Sequence, residues 1–281
     1  MKINKDISVI ITVSKKQLRH NVEQLYYTYK RSIETVARSF EFIYVTDDDS
    51  NEMLGALQNL QELGEDIKII KLAKWFGDAS ALHIGFEEAA GKNILTLPAF
   101  QQVDVEVIPD LTNSFIDCDM LIARRHSIRV QAKIFHFLVK VFLGMHYRDL
   151  GCRVRLFKRE VLENIRLYGD QIRFLPLLAN RYGFKVREKE VKQFQSGVSQ
   201  RVYSLGHYTE RLVDLISIFF LIKFTKKPLR FFGVPGFIIF SLGFMLALYL
   251  LYQRLFLNES LADKPIVLVS ILLIVFGIQL F

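Results

Sequence analysis

Cysteine is scarce. The chain of 281 residues carries only Cys118 and Cys152. Neither sits in a C-x-x-C pair or a Cys/His cluster, which argues against a disulfide framework or a zinc module and suits a reducing cytosol. A cleaved secretion signal is not expected, because 1–6 is polar and the apolar stretch 7–13 is too short for one. Internal repeats, low-complexity linkers and recognised nucleic-acid modules are also missing. Nucleic acid is therefore not expected as a partner, despite a formal net charge of +8.

Apolar residues are plentiful, at 51%, and unevenly spread. The first 230 residues or so read as a soluble domain, long enough to bury a sizeable core. Beyond them, 231–252 is a run of 22 residues without a charge, and 265–281 is a second apolar run of 17. At a rise of ~1.5 Å per residue the first spans a hydrocarbon core of ~30 Å, and the second meets the lower limit. A two-helix transmembrane hairpin is the expectation, with Pro235 placed near the first turn of its first helix, where proline costs little. Lys223, Lys226, Lys227 and Arg230 crowd before the first span, while the 253–264 loop balances Arg254 and Lys264 against Glu259 and Asp263. By the positive-inside rule the large domain faces the cytoplasm. Two mixed stretches, 128–147 and 212–224, combine Phe and Leu with Arg and Lys. They read as interfacial helices on anionic lipid or as helices packed on the core.

Within the soluble part, β-branched runs predict strands at 6–13, 41–45, 67–72 and 93–97, with a further strand at 119–123. Helical spacing predicts helices at 17–39, 51–63 and 79–90. Strands alternating with helices argue for an α/β fold, a mostly parallel sheet covered on both faces. Ligands of such sheets sit beyond the carboxyl ends of the strands. That gathers Val13 and Ser14, Asp47 and Asp48, and 98–100 around one cleft.

In that order the motifs resemble family 2 glycosyltransferases. They look closest to the membrane branch that moves a sugar from a nucleotide sugar to a polyprenyl phosphate, as dolichyl-phosphate mannose synthase does. Phe76-Gly77 with Ala81 and Gly85 matches the family's F-G-x-x-x-A-x-x-x-G helix. Asp149-Leu-Gly-Cys-Arg-Val-Arg-Leu-Phe-Lys-Arg-Glu-Val-Leu162 resembles its D-x-G-C-x-L-R-x-F-R-R-E-V-L segment. Leu167-Tyr-Gly169, Arg173-Phe-Leu-Pro176 and Lys226-Lys-Pro-Leu-Arg-Phe-Phe-Gly233 follow at family spacing. The resemblance covers almost the whole chain. It implies a GT-A (Rossmann-like) domain over 1–204, a juxtamembrane helix and basic linker over 205–230, and the hairpin over 231–281.

The resemblance also implies site roles. Asp47 and Asp48 fall in the turn that holds the base and ribose of the nucleotide. Asp149 stands at the acceptor-side aspartate, as the catalytic candidate, and Arg153, Arg155 and Arg201 are phosphate-binding candidates. The family's D-x-D, which binds Mg²⁺ or Mn²⁺, is replaced by Pro98-Ala99-Phe100. A displaced ion would have to rest on Gln102 and Asp104; otherwise no metal is expected. Further departures are Thr12-Val13-Ser14-Lys15-Lys16 in place of P-V-Y-N-E, and Trp75 in place of the asparagine before Phe76-Gly77. Two functions stay open on these grounds. One is a membrane-bound transferase of reduced or altered activity, with nucleotide sugar, polyprenyl phosphate and the cytoplasmic membrane as partners. The other is a catalytically inactive pseudoglycosyltransferase that acts as a lipid-associated binding or scaffolding subunit. A homo-oligomer is expected from the Phe- and Leu-rich helices.

Overall fold

A computed structural model describes residues 4–14, 21–47, 51–125, 147–167, 169, 171–194, 228–257 and 265–281. The chain forms two compact units, Met1–Ile218 and Phe219–Phe281. The predicted interfacial helices, all of 212–224 and nearly all of 128–147, lie outside the described residues.

The first unit is built on a seven-stranded sheet of order β3-β2-β1-β4-β6-β5-β7. Its strands are β1 (Lys5–Val13), β2 (Phe40–Thr46), β3 (Ile67–Lys71), β4 (Gly91–Pro98), β5 (Met120–Arg125), β6 (Arg155–Lys158) and β7 (Val186–Val191). The first four pair in parallel, and so do β5 and β7; β6 runs antiparallel between β4 and β5. The mostly parallel sheet expected from the sequence is therefore present. The central strand β1 is buried from Ile7 to Val13, as its unbroken β-branched run requires when helices cover both faces.

Helices α1 (Val22–Glu34), α2 (Asn51–Glu62) and α3 (Asp78–Glu87) connect the first four strands. Asn21 caps α1 by accepting from the amides of Glu23 and Gln24, and Leu25, Tyr26, Tyr29 and Ile33 form its buried face at helical spacing. The described helix is shorter than the predicted 17–39, ending at Glu34 before a turn. The sequence reading passed over α4 (Val107–Asn113), α5 (Arg159–Asn164), α6 (Leu175–Arg181), β6 and β7 as elements.

A buried polar network ties the starts of four strands together. Ser8 of β1 donates to Glu41 of β2 at 2.5 Å, and Lys68 of β3 pairs with the same carboxylate at 3.0 Å. The amide of Ala90 donates to Glu41, and that of Gly91, opening β4, donates to the Ser8 hydroxyl. Glu41 is 1% exposed. Its burial is tolerated because each oxygen has a charged or polar partner.

The second unit is a helical hairpin of α7 (Pro228–Phe256) and α8 (Ile266–Leu280). Residues Phe232–Phe256 of α7 are long and apolar enough to cross a membrane, and only 17% of its most apolar window is buried. That exposure separates it from the core helix of a soluble protein, whose apolar face would be covered. Both ends run past the predicted 231–252, since Gln253 and Arg254 interrupt hydropathy but not the backbone ladder. Starting at Pro228, the helix carries Pro235 in its interior, not near its first turn. Pro235 thus leaves the carbonyl of residue 231 without its usual donor. Glycines set the packing: a Cβ at Gly277 would stand 2.5 Å from the Phe240 nitrogen, and one at Gly236 would stand 2.8 Å from the Gly277 oxygen. Only a residue without a side chain allows the two backbones this close.

Candidate functional site

Strand register fixes the site. Val13 pairs with Thr46, and Thr12 pairs with Pro98, so β1, β2 and β4 end at one level. The strand order reverses at β1, with β2 and β3 on one side and β4 on the other. A crevice beyond the carboxyl ends at such a switch point is where sheets of this kind take ligands. Buried Ser14 and half-buried Asp47 stand at its rim. Asp48 and Arg201 lie outside the described residues.

The floor at the end of β4 is held by α1. The Tyr29 hydroxyl donates to the carbonyls of Pro98, at 3.1 Å, and Phe100, at 3.3 Å. Burial raises the pKa of Tyr29, so it stays a neutral donor. The next turn is clamped by Gln102. Its Nε2 donates to the Gly151 carbonyl at 3.3 Å, and its Oε1 accepts from the Arg153 amide at 2.9 Å. From the β4 side, the Thr96 hydroxyl donates to the Arg153 carbonyl at 2.7 Å. Segment 149–155 is thereby laid along the edge of the cleft.

Asp149 is buried in that segment and locked to Arg125, at the end of β5. Arg125 Nε reaches Oδ2 at 2.7 Å and Nη2 reaches Oδ1 at 2.9 Å, a two-pronged pair. The amides of Arg125 and Gly151 donate to the same carboxylate at 3.2 and 3.1 Å. Burial alone would raise the Asp149 pKa, but Arg125 and the two amides outweigh it and hold the carboxyl below its ordinary value. A depressed carboxylate with these partners is a poor proton acceptor. The geometry binds Asp149, the acceptor-side candidate of the sequence, to the Arg125 guanidinium. Sequence reading missed Arg125; its partner lies 24 positions away, and nothing local marks the pair.

The three arginines divide. Arg155 is fully buried, and its guanidinium donates to the carbonyls of Cys152, Ile172 and Leu150. Burial lowers its pKa to about 10, so it remains charged. Its three bonds to main-chain carbonyls support the 149–153 segment from a fully buried position. Arg153 is half-buried and pairs through Nη2 with Asp78, the first residue of α3.

The start of α3 explains two of the glycine motifs. Gly77 caps the helix at φ +97, and a Cβ there would stand 2.3 Å from the carbonyl carbon and oxygen of Gly169. The Ala79 amide donates to the Gly169 carbonyl at 2.8 Å, and the Ser80 hydroxyl accepts from the Gly169 amide at 3.1 Å. The F-G and L-Y-G segments meet backbone to backbone, and Gly77 is required both for its conformation and for its contact.

The divalent ion that the resemblance implies does not fit the residues present. Pro98, Ala99 and Phe100 offer no side-chain oxygen, and Tyr29 already engages two of their carbonyls. Both ends of the Gln102 amide are engaged, leaving Asp104 as the sole carboxylate of 98–104. Among the described residues no three of His, Cys, Asp and Glu gather to hold a metal. A hard divalent cation seeks about six oxygens. The Gln102–Asp104 pair expected to carry a displaced ion therefore falls short.

Comparison with known proteins finds relatives of the chain and structures that share its fold. No family model matches the chain. The dodecaprenyl-phosphate galacturonate synthase of Rhizobium johnstonii is 23% identical over 257 residues, covering 86% of this chain and 75% of the relative. The undecaprenyl-phosphate 4-deoxy-4-formamido-L-arabinose transferase of Proteus mirabilis is 28% identical over 289 residues, 99% of this chain and 86% of the relative. Glucosyl-3-phosphoglycerate synthase from Mycobacterium tuberculosis shares the fold, with a TM-score of 0.59 at 12% identity over 78% of this chain and 80% of that one. That synthase has also been solved with Mn²⁺ and uridine diphosphate, a structure that matches with a TM-score of 0.58 at 11% identity. Similarity that runs through both the sheet domain and the apolar helices makes the chain a homologue of the polyprenyl-phosphate family 2 glycosyltransferases, with a GT-A fold.

Proposed function

We propose that the chain is a membrane-bound family 2 glycosyltransferase that moves a sugar from a nucleotide sugar to a polyprenyl phosphate at the cytoplasmic face. The observation that carries this reading is the span of the similarity: polyprenyl-phosphate transferases match it through the catalytic domain and the hairpin alike.

The chemistry fits the cleft. The nucleotide is assigned to the ends of β1 and β2, with Asp47 toward its base and ribose. An oxygen of the acceptor phosphate attacks the anomeric carbon, forming the new C–O bond as the bond to the nucleoside diphosphate breaks. A phosphate monoester is mostly ionised at neutral pH, its second pKa being about 6, so the attack needs no protein base. Asp149 then acts through Arg125, fixing the end of β5 and the 149–153 segment beside the cleft. The apolar helices bring the domain to the lipid acceptor, and the basic residues before α7 favour the anionic cytoplasmic leaflet.

The test is direct. Purified full-length chain is incubated with vesicles containing undecaprenyl phosphate and a panel of radiolabelled nucleotide sugars, and the lipid fraction is counted. Label in the lipid fraction for at least one donor is expected. Absence of transfer from every donor, with nucleotide still bound, would replace this reading by that of a non-catalytic binding subunit.

A further inference from the structure

The end of β4 lacks ligands for the ion that the fold family uses, yet a departing diphosphate still needs its charge offset. Among the described residues, Arg153 is a cation beside the gap. The main chain of Arg153 is pinned from both sides of the missing motif, by Gln102 just after it and by Thr96 just before it. Its side chain is 23% exposed and reaches Asp78, at the first turn of α3. Neighbouring arginines are committed elsewhere, Arg125 to Asp149 and Arg155 to three carbonyls.

We propose that this chain holds the donor's diphosphate without a divalent ion, the Arg153 guanidinium supplying the positive charge when it exchanges Asp78 for the diphosphate. This rests on the transferase reading and deepens it. Two features make the exchange feasible. A guanidinium presents the same planar fork to phosphate as to carboxylate, so the new contact reproduces the geometry of the old one. Asp78 also keeps a favourable field after Arg153 leaves, since a carboxylate in the first turn of a helix faces the positive end of its dipole. The pair thus stores the cation beside the cleft until an anion arrives.

The experiment is calorimetry on the full chain in detergent, with uridine diphosphate and guanosine diphosphate as probes, in Mn²⁺ or in EDTA. For the diphosphate that binds, the two Kd values are expected to agree within about threefold. Arg153→Met is expected to weaken binding by about tenfold or more, and Arg153→Lys by less. Asp78→Asn, which releases Arg153, is expected to keep or tighten binding. Binding that vanishes in EDTA would overturn the proposal and leave the transferase reading standing, as would an Arg153→Met chain that binds as tightly as the original. If neither diphosphate binds under any condition, the transferase reading itself falls. The EDTA comparison uses the unaltered chain, so it decides the question even if a substitution fails to fold.

Discussion

Asp149 and Arg125 are expected to act as one unit, and a double-mutant cycle tests that. The carboxylate is buried and accepts four hydrogen bonds, two of them from the Arg125 guanidinium. Arg125→Met strands a buried charge with two amide partners, and Asp149→Asn leaves the guanidinium facing a neutral amide. Removing one partner of a buried pair costs about 3–5 kcal/mol, which for a domain of this size is roughly 6–20 °C in Tm. The double variant removes both charges together, so its loss is expected to fall short of the summed single losses by about 1–3 kcal/mol. Chemical denaturation of the three variants and the parent in detergent measures the coupling. The transfer assay adds a second readout. A positioning Asp149 predicts that Asp149→Asn and Arg125→Met lower activity alike and leave the shape of the pH profile unchanged. Loss of an acidic limb in Asp149→Asn alone would show a proton-transferring carboxylate and refute the assignment. So would singles that add within about 0.5 kcal/mol, the margin for independent sites.

Other outcomes follow from the same geometry. Gly77→Ala combines a backbone conformation costing about 1–2 kcal/mol with overpacking of about 1–3 kcal/mol, so a loss of roughly 2–5 kcal/mol is expected; a Tm within 1 °C of the parent would contradict the contact with Gly169. Gly277→Leu cannot be seated against Phe240, and it is expected to separate the hairpin helices, read as a changed mobility and lower thermal stability in mild detergent. The lowered pKa of Asp149 arises from Arg125 and two amides overcoming burial, and that of Asp119 from Lys158 and the Lys185 amide. Both carboxylates therefore contribute stability fully above their unfolded pKa of about 3.9 and lose it as pH falls through their lower folded values. Denaturation midpoints of Asp149→Asn and the parent should differ by a constant amount from pH 5 to 8 and converge only in stronger acid.

The sheet's first half was legible because β1, β2 and β4 are buried on both faces and spell that in β-branched runs. The edge strand β7 was not. Its sequence, Val-Arg-Glu-Lys-Glu-Val, is charged where an edge meets water, and Arg124 of β5 pairs with its Glu190. Strand β6 is only four residues long and is hidden inside a motif read for its chemistry. At the site, the strand ends gave away the cleft, and the missing carboxylates at 98 and 100 could be read directly. The roles of the arginines could not. Arg153 and Arg155 are two residues apart in one motif, where strand alternation alone would point both the same way; yet β6 begins only at Arg155, and Arg153, outside it, reaches Asp78 while Arg155 is buried among main-chain carbonyls. Partnerships such as Asp78 with Arg153 join residues 75 positions apart, which a single sequence does not display.

The Ser8–Glu41–Lys68 network makes the sheet mechanically lopsided. Where the strands begin, side chains stitch four neighbours together in addition to the ladder, and any splaying there would bare a buried carboxylate. At the opposite end, the contacts are hydrogen bonds to main-chain groups: Tyr29 and Ser32 of α1 donate to the carbonyls of Pro98, Phe100 and Val105, and Gln102 joins Gly151 and Arg153. The sheet is therefore expected to open more readily at the rim of the cleft than where its strands begin. Hydrogen exchange should record this as slow amides at Ala90 and Gly91 and faster ones at 99–102. A sheet held where its strands begin can widen or narrow its crevice without loss of the core.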